Sequence, residues 1–265
     1  MIHLLALSWL AAAALQLALW LVAQRTRNAS IVDVGWAGSF AVVAALLAAQ
    51  ATTAPAIFAP VTVVVIAWSL RLTWHLLRRG AATGPEEGRY RDLRQRWAPH
   101  AERAFFLFFQ AQAALTAILA VSIIPPFLWT PRPSLELLRW LGVAISAIAI
   151  VGETVADLQL KRFRRAHAGE RRVCDVGLWR YSRHPNYFFE WIYWLGLAVH
   201  GLAFAPWGLV ALLGQAIILA SIFGVTGIPP TEAQALRSRG DAYRAYQQRV
   251  SRFVPWPPKS RQNDA

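Results

Sequence analysis

Cysteine, lysine and acidic side chains are all scarce in this chain. Cys174 is the only cysteine in 265 residues, which excludes an intrachain disulfide and a thiolate metal cluster within the chain. The six histidines stand at positions 3, 75, 100, 167, 184 and 200. No two lie within four residues of each other, so the histidine clusters of membrane di-metal oxygenases are missing and no metal is expected. No G-x-G-x-x-G occurs, and no stretch between apolar runs reaches 40 residues. That leaves no room for a soluble dinucleotide-binding domain. Internal repeats and low-complexity segments are missing too.

Apolar length is what the chain has in quantity: 56% of it is hydrophobic and 13 residues are tryptophan. Seven runs approach the ~20 residues that cross a roughly 30 Å hydrocarbon core. They fall at about 3–23, 35–52, 56–77, 104–125, 136–157, 187–204 and 206–226. The first has no basic segment before it and is followed by Arg25 and Arg27, so it reads as a retained span rather than a cleaved signal.

The net charge of +13 comes from 27 basic against 14 acidic residues. Such an excess can mark a nucleic-acid partner, but its distribution points elsewhere. Of the 27 basic residues, 24 fall in 25–27, 78–103, 161–183 and 237–261, while the alternate loops hold only Arg132. This is the positive-inside pattern. It predicts an all-α polytopic integral membrane helix bundle, one membrane domain over 1–265, with seven transmembrane helices, the N-terminus outside and the C-terminus cytoplasmic. No nucleic-acid partner is expected. The excess is also 25 Arg to two Lys, a bias that suits bidentate recognition of phosphate or carboxylate.

Ionisable residues inside such spans are costly and usually face a cavity or a partner. Asp33 opens the second span, where it either serves the helix dipole or belongs to a site. Arg71 and His75 are four apart on the third span, with snorkelling and a structural histidine as the alternatives. Glu153, Asp157 and Lys161 form one ridge of the fifth span. Two carboxylates four apart repel unless they are neutralised or bind a polar ligand such as ribose hydroxyls or a carboxamide. The stretch RYSRHPNYFFEW, residues 180–191, places Arg180, Arg183 and His184 before a helix that starts at Pro185. Asn186 and Glu190 then share a face, with Tyr187 beside them. A helix N-terminus already favours an anion, so basic groups there fit phosphate; the alternative is a basic collar for lipid headgroups. In the tail, Glu232, Tyr243, Tyr246 and Arg249 lie on short amphipathic helices, either as an interfacial belt or as a lid.

The segments DVGWAGSF, RLTWHL, GRYRDLR, ETVADLQLKRFR, GLWRYSRHPNYFFEW and GIPPTEAQALRSRGDAYRAYQQRVSRFVPWPP together resemble a bacterial protein of the DUF1295 type. That type belongs to the steroid 5α-reductase C-terminal-like superfamily. The likeness runs in order over about 30–258. It implies an integral protein of the bacterial inner (cell) membrane, in contact with membrane lipids; a monomer is the separate expectation, which the sequence does not settle. The likeness further implies an oxidoreductase that uses NADPH to saturate an activated C=C bond of a steroid-like or other hydrophobic lipid.

The family's N-x-x-S-D-like cofactor helix falls on Glu153 and Asp157, with Glu153 where the family has Asn. Its Y-x-x-x-x-N-Y-x-G-E-like segment falls on Tyr181, Asn186, Tyr187 and Glu190, with Phe189 where the family has Gly. The resemblance thus assigns cofactor binding to Glu153, Asp157, Lys161, Arg165, Arg180, Tyr181, Arg183, His184, Asn186, Tyr187, Glu190, Tyr243, Tyr246 and Arg249. In steroid reductases a Glu on the second span and a Tyr on the third act on the substrate carbonyl. Here those spans offer Asp33, Arg71 and His75, and no Tyr. A second resemblance, through RHPNY, the Y-x-x-Y tail and half of an acidic pair at Thr231-Glu232, is to isoprenylcysteine carboxyl methyltransferase-like proteins, which use S-adenosylmethionine. A non-enzymatic lipid-binding membrane protein is the third expectation.

Overall fold

The computed structural model describes residues 1–224 and 226–259, and no strand occurs among them. The helices are α1 (Ile2–Thr26), α2 (Ile31–Ala49), α3 (Pro55–Arg78), α4 (Gly88–Arg96), α5 (Ala101–Ala120), α6 (Pro125–Leu128), α7 (Glu136–Ala166), α8 (Pro185–Leu202), α9 (Ala211–Gly224), α10 (Ile228–Arg239) and α11 (Asp241–Arg249).

Six helical stretches among the described residues are long and apolar enough to cross a bilayer, which supports a membrane-embedded protein. They are α1, α2, α3, α5, Pro133–Ala166 around α7, and Trp207–Arg239 around α9 and α10. Seven were expected. The run at 187–204 falls in α8, an 18-residue helix that is not among the six; Asn186, Glu190, His200 and its tyrosines and tryptophans dilute its hydropathy. The expected run 206–226 is a short 3-10 turn, Trp207–Val210, followed by α9, and Val225 lies outside the described residues.

The chain divides into two compact units. The first comprises Met1–Val143 with Ala198–Gly214, and the second Ala144–Leu197 with the described part of Gln215–Ala265.

In the first unit α1 packs on α2 and α5, and α2 also packs on α3 and α5. Polar side chains join these helices from within. The Ser69 hydroxyl on α3 donates to Ala37 O at 2.6 Å and accepts from Ala41 N–H at 3.0 Å, so it engages both ends of one turn of α2. Gln16 on α1 donates to Val32 O at 3.2 Å. Gly35 makes that approach possible, because a Cβ there would stand 2.6 Å from Leu19 and 2.8 Å from Gln16. Ser39 and Thr116 share a hydrogen bond of 3.0 Å between α2 and α5. Around them Trp36, Phe40 and Trp68 meet edge to face, the arrangement that the ring quadrupole favours.

Pro60 stands inside α3 and has no N–H to give to Ala56 O one turn earlier. Arg139 of α7 fills that place: its Nη1 donates to Ala56 O at 2.9 Å, and its Nε to Glu136 at 2.9 Å. The Arg139 carbonyl in turn accepts from His200 Nδ1 at 2.9 Å.

Replacing Ser69 by Ala removes two buried hydrogen bonds and leaves the α2 groups without them. At ~1 kcal/mol each, the protein should lose about 1–2 kcal/mol of stability, read as a lower thermal midpoint in detergent. An unchanged midpoint would mean that Ser69 does not join these helices.

Candidate functional site

The second unit gathers most of the expected ligand-binding residues around one acid. Glu232, on α10, forms an ion pair with Arg183, whose Nε lies 2.9 Å from Oε1, and the same oxygen accepts from His184 Nε2 at 3.2 Å. Tyr243 OH reaches the same oxygen at 3.4 Å, and Gln247 Nε2 donates to Oε2 at 3.1 Å. Arg183 also donates through Nη1 to Gln247 O at 2.8 Å, which satisfies a carbonyl in the last turn of α11. His184 stacks on Tyr187 at 5.5 Å with the rings almost parallel, and Tyr187 OH shares a hydrogen bond of 3.1 Å with Thr231.

A second set of bonds fixes the turn before α8. Tyr246 OH donates to Trp179 O, and Trp179 Nε1 donates to Ala156 O of α7 at 2.9 Å. Gly177 adopts φ +58° with no room for a Cβ against Gln159, whose Oε1 accepts from Leu178 N–H at 2.8 Å. The segment after α11 then runs along residues 181–183. Arg183 N–H bonds Ser251 O at 2.9 Å, Ser182 Oγ bonds Phe253 O at 2.7 Å, and Trp256 N–H bonds Tyr181 O at 2.9 Å. Burial pushes the phenols of Tyr243 and Tyr246 well above their usual range, so both remain donors.

The other expected cofactor residues are placed differently. Glu153 is buried on α7, with Asp157 and Lys161 half-buried on the same helix; Arg165, Arg180 and Tyr181 are exposed. Asn186, Tyr187 and Glu190 are half-buried on α8, and Glu190 accepts from Trp194 Nε1 at 2.9 Å. Arg249 sits 3.6 Å from Asp175. Helices α7 and α8 meet where Ser146 Oγ donates to Tyr193 O at 3.1 Å and where the Phe189 ring fills the space over Gly152. Phe189, the departure from the family's Gly, is thus matched by a glycine on the facing helix. That contact brings the neighbouring residues Glu153 and Glu190 to the same level of the pair.

The three expected catalytic residues lie in the first unit. Arg71 and His75 are half-buried on α3. Asp33 is held by α4: Tyr90 OH donates to its Oδ1 at 2.8 Å, and Arg89 pairs with its Oδ2. Tyr90 is fully enclosed at 1% exposure. Burial, followed by the adjacent Asp33 carboxylate, pushes its phenol well above the usual range. The loop before α4 is itself clamped. Glu86 accepts from Ala29 N–H at 2.8 Å and from Arg94 at 2.9 Å, and these bonds outweigh burial and lower its carboxyl below the usual value.

The chain matches the family described as "Protein of unknown function (DUF1295)" over residues 19–250. It belongs to that family. It is also 24% identical to a Schizosaccharomyces pombe protein described as uncharacterized, in an alignment of 214 residues that covers 71% of this chain and 60% of the relative. The chain therefore spans less than two thirds of that relative's length. No solved structure matches it.

Within this DUF1295 chain, two partners escaped assignment from sequence. GRYRDLR carried no role, yet it supplies Tyr90 and Arg89 to Asp33. Glu232 was read as one polar group among several, yet it is the acid on which Arg183, His184, Tyr243 and Gln247 converge. The signal for it was arithmetic: residues 176–257 contain seven arginines and only three acids, so a buried acid there is shared among cations.

Glu232→Gln would leave Arg183 enclosed without its counter-charge, an arrangement that costs on the order of 3–5 kcal/mol; a markedly lower thermal midpoint is expected. Burial, opposed by Glu232 and reinforced by Arg183 and Arg252, lowers the His184 pKa below its ordinary 6.5. The unfolded chain then takes up a proton first as the medium is acidified. Stability should be full above about pH 6.5 and fall as pH drops from there through the folded-state pKa. Thermal scans between pH 8 and 5 should show that loss, and His184→Gln should remove part of it. An identical pH profile for the two proteins would show that His184 does not titrate on unfolding.

Proposed function

We propose that this protein is an NADPH-dependent membrane reductase that saturates the C=C bond of an enone in a hydrophobic, steroid-like lipid. The observation that carries this reading is the pairing of Asp33 with Tyr90. In the steroid reductases that the sequence resembles, an acid and a tyrosine act on the substrate carbonyl. Here the third span lacks a tyrosine, and a phenol comes instead from α4, hydrogen-bonded to the acid of the second span.

Hydride addition to the β-carbon of an enone builds negative charge on the carbonyl oxygen. A fixed donor aimed at that oxygen lowers the barrier electrostatically. Tyr90 is kept protonated by burial; its one O–H is given to Asp33, so it would serve as that donor by turning from Asp33 to the substrate oxygen, with Arg89 left to balance the carboxylate. NADPH would supply the hydride, and a proton taken up at the α-carbon would complete the saturation.

The residues of the second unit that lie outside the Glu232 cluster suit this cofactor chemically. Carboxylates and an amide at Glu153, Asp157, Asn186 and Glu190 match ribose hydroxyls and a carboxamide. Arginine at 165 and 180, with Lys161, matches phosphate. Arg183, His184, Tyr243 and Tyr246 serve by holding the tail and the start of α8 in place. The charge asymmetry supports an N-terminus outside and a C-terminus in the cytoplasm, and the resemblance to bacterial proteins is what supports residence in a bacterial inner membrane.

One observation favours a second reading. Arg183 and His184 close on Glu232, and these are the segments in which the chain resembles methyltransferases that use S-adenosylmethionine. In that reading the Asp33–Tyr90 pair has no chemical task.

Thermal stabilisation of the detergent-purified protein by NADPH, NADH and S-adenosylmethionine separates these readings. A ligand at about 100 times its Kd adds roughly 2.7 kcal/mol. NADPH should shift the parent, and Asn186→Ala and Glu190→Gln should each weaken that shift without unfolding the protein. Tyr90→Phe should keep the shift and lose enone-dependent NADPH oxidation across a panel of enone lipids. A shift with S-adenosylmethionine alone would give the case to the methyltransferase. No shift with any of them, once co-purified cofactor is stripped, would remove both enzymes in favour of a lipid-binding protein.

A further inference from the structure

The tail after α11 presents apolar side chains for which no function has been assigned. Val254 is 53% exposed and Trp256 is 70% exposed, whereas Phe253 between Arg252 and Val254 is buried. Phe253 enters a ring cluster with Phe188 and Trp191 of α8 and with Phe223, at 4.9 Å, in the last turn of α9. The tail is therefore fastened at the end of a helix that belongs to one of the membrane-crossing stretches.

Val254 and Trp256 are not exposed because the segment is loose. Three hydrogen bonds to residues 181–183 hold it, and a fourth joins Lys259 N–H to Arg249 O at 3.0 Å. Pro255, Pro257 and Pro258 stiffen the backbone between these points. The outward-facing indole is thus held in position before any contact is made, so little ordering entropy remains to oppose binding.

The charges that the segment itself carries have one sign. Arg252, Lys259 and Arg180 are exposed nearby in the chain or across the paired segments, and residues 242–259 contain no acid. Tryptophan is enriched where hydrocarbon gives way to headgroups, and each basic residue near an anionic surface adds to the attraction.

We propose that residues 252–259 form an interfacial anchor that docks on anionic phospholipid, with Val254 and Trp256 entering the headgroup–acyl boundary and Arg252 and Lys259 meeting phosphate. The partner is the lipid surface. The anchor fixes the tail that Glu232 and Ser182 hold against the start of α8, so the lipid would bear on the same segment that carries RYSRHPNY.

The test is depth-resolved quenching on the full-length protein. Trp256→Cys and Val254→Cys, each labelled with an environment-sensitive fluorophore, are reconstituted in phosphatidylcholine vesicles with and without phosphatidylglycerol. Cys174 is buried and can stay. Arg244→Cys, on an exposed face of α11, is the aqueous control. The anchor predicts a blue-shifted label at 256 and 254, quenched by lipid carrying a shallow doxyl group and shielded from iodide, more strongly when phosphatidylglycerol is present. The control should show the reverse. Quenching by iodide alone at 254 and 256 would overturn the proposal by placing the tail in water. Quenching by neither would overturn it in favour of a protein partner. Should a cysteine variant fail to fold, Trp256→Ser serves instead: the parent should gain thermal stability when phosphatidylglycerol is added to the detergent, and this variant should lose most of that gain. An equal gain in both would also overturn the anchor.

Discussion

A peptide group carried into hydrocarbon has no water to bond, so its partner must come from the protein. The chain meets that requirement with side chains that look misplaced in its apolar runs. Pro60 breaks the ladder of α3 and frees a carbonyl, and Arg139 supplies the missing donor. Glu136 pairs with that arginine, which offsets part of the cost of holding an arginine at the end of a span. Ser69, Gln16 and the Ser39–Thr116 pair do the same on a smaller scale, and they join α2 to three neighbours where apolar contact alone would not discriminate lipid from helix.

The same requirement, combined with a shortage of acids, makes hubs. With 14 acidic residues for 27 basic ones, a carboxylate that folds inward is shared. Asp33 serves Arg89 and Tyr90. Glu86 serves Arg94 and the Ala29 amide, and Glu102 bridges Arg27 and Arg94. Glu232 serves four side chains. These differ in kind from Arg244–Asp241, whose partners are 66% and 94% exposed and which belongs with surface pairs worth about 0–1 kcal/mol. The hubs tie separate elements together, whereas Arg244–Asp241 lies within one helix.

Much of the architecture could be read from the sequence because its signals are local. Apolar runs of membrane length mark α1, α2, α3, α5, α7 and α9 within a few residues, and Pro185 marks the start of α8. The ends shift where the backbone outlasts the apolar stretch: α7 continues past Asp157 to Ala166 as a polar helix. The site was only half legible. Asp33, Arg183, His184 and Asn186 stand out because polar residues at a span boundary are unusual. Tyr90 does not, since GRYRDLR reads as an ordinary basic loop until the turn at 80–87 folds it over Asp33. Glu232 stands out as a polar residue, but its centrality depends on His184, 48 residues before it, and on Tyr243 and Gln247, 11 and 15 residues after it, converging on it. Arg139 gave no hint beyond its charge, because its purpose lies in a proline on another helix.

This division also decides what substitutions can say. Arg183, His184, Tyr243 and Tyr246 are committed to the fold: Arg183, His184 and Tyr246 each join α10 or α11 to the segment before α8, and Tyr243 joins α11 to α10 at Glu232. Changing them perturbs the scaffold and any ligand at once, so a loss of binding there would not identify a ligand contact. Asn186 and Glu190 sit half-buried on α8 outside the Glu232 cluster, and Arg165 and Arg180 are exposed. Their chemistry is less entangled with the tail's attachment. A cofactor site that used only the buried arginine and histidine would have to displace Glu232 to gain access, at the cost of an enclosed charge pair. One that used Asn186 with the exposed Arg165 and Arg180 would leave that pair intact and so avoid that cost.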